Sequence, residues 1–393
     1  MGRKKITGSA LLLALAAAAC RRAPAPVHGG APPAAAAAGG ASDAGRPPPP
    51  PRGFDLALLY SSNVQGHAGP CDCVRPLGGL ARRATVIARA RAEADATLVV
   101  DAGDLFDGES RQSARRLAEA VAAGGLDAFT PGERDLALGV PTLKRLAAAA
   151  GLPIMSSNLT DRSGARLFGG ERVFALGRVV VGVFGVTAPP TPADAVRWQA
   201  AGIRVAPPGP AARAAIATLR QKGAKVVMGL FHVGGAAQAR ALVAALPGLD
   251  WAILGHSALN LESPEKSGDA RLLEALAEGK NLGRLDLHVV GGSLVFADAA
   301  ERPELEAILA DHRGQLGAYD RSLAGMDPAA LEAYYRQRRA QLQAAIARES
   351  VALSRLPRAV TGSWFENRVI PLDATIPDDP QVSGLVRRLG PHL

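Results

Sequence analysis

From Phe54 onward, short β-branched and aliphatic runs alternate with longer stretches rich in Ala, Leu and Arg. The runs are the segment 54–60, ATLVV at 96–100, VVVGVFGV at 179–186, AKVVMGLF at 224–231 and WAILG at 251–255. Bounded by turn residues, they read as strands, and the stretches between them as helices. Strand and helix in alternation predict a layered α/β core. Residues 281–299, NLGRLDLHVVGGSLVFADA, predict a hairpin turning at Gly291 and Gly292, so the sheets should be mixed.

After Glu301 the period changes. Leu305, Ile308, Leu309, His312, Leu316 and Tyr319 share one helical face. A second helix restarts with Asp327 as N-cap and Pro328 at its first position, which predicts a helical hairpin over 301–350. Residues 351–393 hold Pro371, Pro377, Pro380 and Pro391 and read as a poorly specified extension.

The N-terminus has another character. Arg3, Lys4 and Lys5 precede an apolar run, Ala10 to Ala19, that ends at Cys20, the layout of an export signal over residues 1–20. A run of about ten residues is too short to span a bilayer, which needs roughly 20. LALAAAAC resembles the lipobox of bacterial lipoproteins, which implies an acylated Cys20, membrane lipid as a partner, and a protein facing the periplasm or cell surface. A plain secretory signal cut nearby is the alternative. Residues 21–52 are Pro, Ala and Gly with almost no large apolar side chain, so they predict a disordered tether to a folded domain over 53–300.

Charge changes the picture less than it first suggests. The chain of 393 residues carries a formal +9, but residues 1–52 hold seven Lys or Arg and one acid. The remainder has 38 basic and 35 acidic residues, a net +3, which lacks the footprint of a nucleic-acid binder.

The strand ends carry the candidate chemistry, where an α/β protein places its site. VVDAGDLFDG sets Asp101, Asp104 and Asp107 past one strand, and FTPGERDLALG sets Gly132, Glu133, Arg134 and Asp135 past another. NL at 158–159 follows a PIMSS strand, GLFHVGG delivers His232, and AILGHSALN delivers His256. Carboxylates and imidazoles gathered on one edge are what a divalent metal centre needs.

In order and spacing these segments resemble the metallophosphatase domain of bacterial 5'-nucleotidases and UDP-sugar hydrolases, within the calcineurin-like metallophosphoesterases. The resemblance covers about residues 54–298 and rests on VVDAGDLFDG, PIMSSNL, VGVFGVT, FHVGG, ILGHS and NLGRLDL, in that order. It implies a four-layer αββα sandwich, with the helical hairpin following it. It also implies two metals that activate water against a phosphate ester.

The metal motifs are kept unevenly. Asp104 falls where the family places a carboxylate that bridges both metals, and His232 and His256 match two of its histidines. Asn63 and Gln65 stand where it has Asp and His, and Ala258 where it has a further imidazole, so one metal site is lost. Glu133 replaces an Asn ligand and Arg134 a His that serves phosphate chemistry. The resemblance thus implies one divalent ion, Zn, Mn or Fe, held by Asp104, His232, His256 and Glu133, with Asp104 and Arg134 serving catalysis. A phosphate ester or nucleotide-like small molecule is the implied substrate. Arg134 could instead neutralise Glu133 in a salt bridge. With these losses, a catalytically inactive binding or scaffold protein is the rival reading, with the helical hairpin as a surface for a protein partner.

Cys71 and Cys73 lie directly behind Asn63, Gln65 and His67. PCDCVRPLGGL resembles a Pro-Cys-Gly-Cys and Leu-Gly-Gly-Leu stretch in an exported branch of that family, whose relatives carry a C-terminal haem domain. Without a Cys-x-x-Cys-His here, no haem is implied. A disulfide, a thiol redox pair, and replacement metal ligands together with His67 all remain open for the two cysteines. A ring closed over one intervening residue staples almost no chain entropy. The basic start of GGLARRATVIARARA reads as an anion site or, more simply, as a solvated helix face.

Wild-type protein should partition with membranes and Cys20→Ser should abolish acylation. Mass spectrometry of the mature N-terminus checks this; an unmodified terminus elsewhere would refute the anchor.

Overall fold

The computed structural model describes residues 54–323 and 333–388. Cys20, the tether 21–52 and the Asp327–Pro328 helix start lie outside the described residues. The first half of the fold runs β1 (Phe54–Ser61), α1 (Leu80–Glu93), β2 (Ala96–Asp101), α2 (Arg111–Ala123), β3 (Ala128–Phe129), α3 (Glu133–Ala137), α4 (Val140–Ala150) and β4 (Leu159–Thr160). It continues as β5 (Arg172–Leu176), β6 (Val179–Thr187), α5 (Pro192–Ala200), β7 (Arg204–Val205), α6 (Pro208–Gln221), β8 (Val226–His232), α7 (Ala236–Ala244) and β9 (Trp251–Gly255). The remaining elements are β10 (Glu265–Ser267), β11 (Ala270–Leu273), β12 (Asn281–Val289), β13 (Ala297–Asp298), α8 (Glu301–Leu323), α9 (Ala333–Arg355), β14 (Trp364–Pro371) and α10 (Pro380–Arg387).

Two mixed six-stranded sheets form the centre, ordered β13-β14-β12-β1-β2-β3 and β10-β11-β9-β8-β6-β5. The period-2 pattern of the strands makes the layers. Leu56, Leu58 and Tyr60 of β1 face the second sheet and pack with Val181, Val183, Met228, Leu230 and Ile253. Ala57 and Leu59 point the other way, into a core shared with Ala84 and Ile87 of α1 and Leu117 and Val121 of α2. On the far side, Phe184, Val227 and Phe231 meet Ala212, Ile216 and Leu219 of α6 and Val243 of α7. Three buried cores between four layers make the fold an αββα sandwich.

The parallel strands direct their C-terminal ends to one edge. Ser61 pairs with Asp101, and Asp101 with Phe129. In the second sheet Thr187 pairs with His232, and His232 with Gly255. The loops that follow these residues carry the candidate site.

Three local expectations change. No hairpin forms at Gly291 and Gly292, because β14 inserts beside β12 and β13 pairs with β14 instead. The Ser363 hydroxyl fixes this arrangement, accepting from the Val290 amide at 2.8 Å and donating to the Ser293 carbonyl at 2.6 Å. PIMSS forms only isolated bridges, Phe129 to Ile154 and Met155 to Gly169, rather than a strand. The extension 351–393 is integral where it is described: β14 completes the first sheet, and α10 is tied to α1 through the Asp379 amide and the Ala81 carbonyl, 3.1 Å apart. Prolines bound these elements rather than preventing them: Pro371 ends β14, and Pro380 opens α10 behind the Asp379 N-cap.

Helices α8 and α9 pack along each other, joined by Asp320–Arg339 at 2.7 Å and His312–Glu349 at 2.9 Å. Among the described residues, no helix is long and apolar enough to cross a membrane.

Phe365 of β14 is fully buried, with its ring edge-to-face on Trp251 at 4.9 Å and under the Arg271 guanidinium. Phe365→Ala should therefore cost about 3–5 kcal/mol, the range for emptying an aromatic core position. Urea denaturation at equilibrium measures it, and a loss below about 1 kcal/mol would show that the tail is not part of the cooperative fold.

Candidate metal centre

His232 is the last residue of β8 and is 1% exposed. Its ring reaches the other sheet, where Nδ1 lies 2.8 Å from the Ala102 carbonyl just past β2. Nε2 then faces Glu133 Oε2 at 2.5 Å. The second carboxylate oxygen, Oε1, lies 2.9 Å from His256 Nδ1. Among the described residues, Glu133, His232 and His256 form a group whose ligand atoms all lie within 4.8 Å of one another.

Glycines make this closeness feasible. A Cβ at Gly103 would sit 2.5 Å from His232 Nδ1, and one at Gly132 would sit 2.5 Å from His232 Cε1 and overlap Asp104. One at Gly255 would overlap the Ala102 carbonyl. The backbone is also held in uncommon conformations here. Asn63, Gln65, Asp104, His256 and Ala258, non-glycine residues at the predicted site positions, have φ between 53° and 70°. Left-handed non-glycine residues gathered at one edge are a mark of functional geometry fixed by its surroundings.

Asp104 lies beside the group rather than within it. Its Oδ1 is 3.6 Å from His232 Nε2 and accepts from the Arg134 amide at 2.9 Å, while Oδ2 is 3.8 Å from Arg134 Nε. Arg134 thus pairs with Asp104, not with Glu133, and Glu133 is left to the two imidazoles. Asp135 anchors both loops: its fully buried carboxylate accepts from the amides of Asp104, Phe106 and Gly132 at 2.7–2.9 Å. Asp107, past the same strand, braces its own loop through the amides of Glu109 and Ser110.

Asn63 is an internal bracket. Its Oδ1 accepts from the His256 amide at 2.8 Å, and its Nδ2 donates to Glu274 Oε1 at 3.4 Å. Glu274 is fully buried and also accepts from the Ser257 hydroxyl at 2.5 Å. Gln65 meets the site through its backbone, its amide donating to the Asp104 carbonyl at 2.7 Å. His67 is exposed, and Cys71 is bonded to Cys73. None of Gln65, His67, Cys71 and Cys73 belongs to the three-residue group. Arg83 is neither an anion site nor a solvated residue. It is buried against Asp101, with Nη2 3.2 Å from the Ser61 hydroxyl, which in turn donates to Asp101 at 2.6 Å.

The electrostatics follow from burial and pairing. Burial raises the Asp104 carboxyl to about 6 against the opposing field of His232, and it raises Glu274 to about 7. Burial would also raise Glu133, but hydrogen bonds from His232 and His256 outweigh it and lower its pKa. For His232 burial pulls downward, yet Asp104 and Glu133 together lift the imidazole to about 9. His256 is raised as well, chiefly by its hydrogen bond to Glu133.

Sequence reasoning found Glu133, Arg134, His232 and His256 but assigned no role to Glu274 or Asp135, and it read the stretch that holds Arg83 as an anion site or a solvated helix face. Glu274 falls in RLLEAL, which offers no local signal. Asp135 lies two residues from Glu133 in GERD, and its three backbone donors emerge only in the fold.

No family model matches the chain. A snake venom 5'-nucleotidase from Gloydius brevicauda is 29% identical over 155 residues, 35% of this chain and 26% of that protein. The structure of a 5'-nucleotidase precursor from Thermus thermophilus matches with a TM-score of 0.57 at 18% identity, over 86% of this chain and 58% of that one. The sulfate thiohydrolase SoxB of Thermus thermophilus matches with 0.59 at 18% identity, over 86% and 61%. The calcineurin-like phosphoesterase YfkN from Bacillus subtilis matches with 0.57 at 17% identity, over 86% and 97%. The chain has the calcineurin-like phosphoesterase fold, with proteins of the 5'-nucleotidase group among its structural neighbours. It spans about three-fifths of the Thermus proteins and about a quarter of the venom protein.

A histidine whose pKa is raised from 6.5 to about 9 contributes stability that is fully present below pH 6.5 and lost as pH rises through 9. Melting temperature of the metal-free protein, measured in chelator, should fall across that window. Glu133→Gln should flatten the profile, and an unchanged slope in this variant would show that the pairing does not control it.

Proposed function

We propose that the chain is a lipid-anchored, exported phosphoesterase that works with one divalent metal and at a reduced rate relative to a two-metal site. The observation that carries this reading is the convergence of Glu133, His232 and His256 on one point at the strand ends of a phosphoesterase fold. The donor set fits a metal. His232 is already oriented by a carbonyl on Nδ1, leaving Nε2 toward the centre, the outer hydrogen bond that metal-binding histidines typically make. Glu133, His232 and His256 would hold the ion, with Asp104 next to them.

A bound divalent ion would lower the pKa of a water and polarise a phosphoryl oxygen. The chain's own residues supply the rest. The Arg134 side chain is 45% exposed beside the buried Asp104, so its outer face can take phosphate oxygens while Asp104 fixes its direction. Asn63 and Glu274 hold the His256 backbone. The substrate of this reading is a phosphate ester, nucleotide-like in the favoured case.

A second reading has its own support. Without a metal, Glu133 satisfies both imidazoles and Arg134 satisfies Asp104, so the centre is internally balanced as a binding or scaffold domain. In that case the long hairpin of α8 and α9 is the surface for a protein partner.

The two readings separate by experiment. Purified full-length protein should bind about one zinc, manganese or iron ion per chain, and His232→Ala and His256→Ala should each lose it. Hydrolysis of p-nitrophenyl phosphate and of nucleotides should follow the metal, and Arg134→Ala should lower kcat/KM about a hundredfold. Protein free of metal, whose melting temperature ignores both chelator and added ions, would favour the scaffold.

A further inference from the structure

The phosphoesterase reading leaves the Cys71–Cys73 disulfide without a role. Its cysteines are two residues apart in sequence. Loop-closure stabilisation grows with the length of chain enclosed, so this bond adds little to folding. The loop is held by other means: the Cys71 amide donates to the Leu77 carbonyl at 2.8 Å, Gly78 to Leu372 at 2.9 Å, and Leu80 to Ala68 at 2.9 Å. Breaking the disulfide would leave this frame in place.

The two sulfurs also stand in different surroundings. Cys73 is exposed, as are Asp72, Val74, Arg75 and Pro76, and Val74 projects wholly into solvent. Cys71 is half-buried and its Sγ lies 3.4 Å from the Leu77 amide, which donates to it. A backbone N–H aimed at a sulfur stabilises negative charge there, which suits Cys71 to leave as a thiolate.

We propose that Cys71 and Cys73 form a thiol–disulfide exchange site, open to thiols of small molecules or of peptides, with Cys73 as the sulfur attacked. An incoming thiolate forms a bond to Cys73 Sγ as the Cys71–Cys73 bond breaks, and the electron pair goes to Cys71 Sγ beneath the Leu77 amide. A second thiolate then attacks the sulfur of the first at the mixed disulfide and releases Cys73 as a thiolate. The two thiols leave as one disulfide, and the two protons they shed end on Cys71 and Cys73. Two electrons enter the chain, and the reverse reaction, with an added disulfide as oxidant, restores the bond. Nothing in this scheme depends on the metal centre.

The chain has three cysteines, so Cys20→Ser leaves only this pair to titrate. The full chain with that change should be treated, while folded, with glutathione in one arm and a cysteine-bearing peptide in another, and free thiols counted by alkylation and mass spectrometry. Two thiols should appear while the melting temperature moves by less than about 2 °C. Opening by glutathione alone identifies a small-molecule thiol, and opening by the peptide alone identifies a protein thiol. When the reaction of the folded, disulfide-bonded protein with glutathione is stopped by acid before it is complete, mass spectrometry should find the trapped glutathione on Cys73 at least about tenfold more often than on Cys71. Thiols that appear only on denaturation would overturn the site. Equal trapping on the two cysteines would overturn the assignment of Cys73 as the sulfur attacked.

Discussion

The site depends on one interaction across the two sheets, the His232 ring from β8 reaching the Ala102 carbonyl past β2. A buried imidazole placed between two backbones needs space that side chains would take away. Gly103, Gly132 and Gly255 leave that space, and a Cβ at any of them would press on His232 or on its partners. The bond has a chemical consequence as well: it uses Nδ1, so Nε2 is the nitrogen presented to Glu133.

Around this contact, buried charge is balanced at short range. Asp135 is held by three amides, Asp101 by Ser61 and Arg83, and Asp104 by Arg134. Burying a carboxylate is costly unless it is hydrogen-bonded or paired, and these partners meet that cost within the loops at the strand ends. The same loops hold the left-handed residues, so local strain and local polar bonding occupy one place. Asn63 adds a neutral bracket, its side-chain amide joining the His256 backbone to Glu274.

The disulfide loop and the candidate metal group are far apart in sequence and different in kind. One is an exposed loop whose backbone is braced independently of its sulfurs. In the other, the buried His232 and the half-buried Glu133 and His256 hold one another by hydrogen bonds. A chemical change in the first therefore need not disturb the second.

Strand alternation by itself determined the layered core, because residues two apart must share a face of a sheet. Leu56, Leu58 and Tyr60 separate from Ala57 and Leu59 on that basis alone. The order of motifs likewise brought Asp104, Glu133, Arg134, His232 and His256 to attention, since residues just past parallel strands collect on one edge. Only the tertiary structure decided their pairing. The direction of the Arg134 side chain, toward Asp104 rather than Glu133, depends on where two loops meet, and sequence spacing does not encode it. Glu274 and β14 were hidden for the same reason. One enters the site from 211 residues beyond Asn63, and the other enters the first sheet from beyond the hairpin. Periodicity reports which face of an element is apolar; which distant element will cover it is settled by packing.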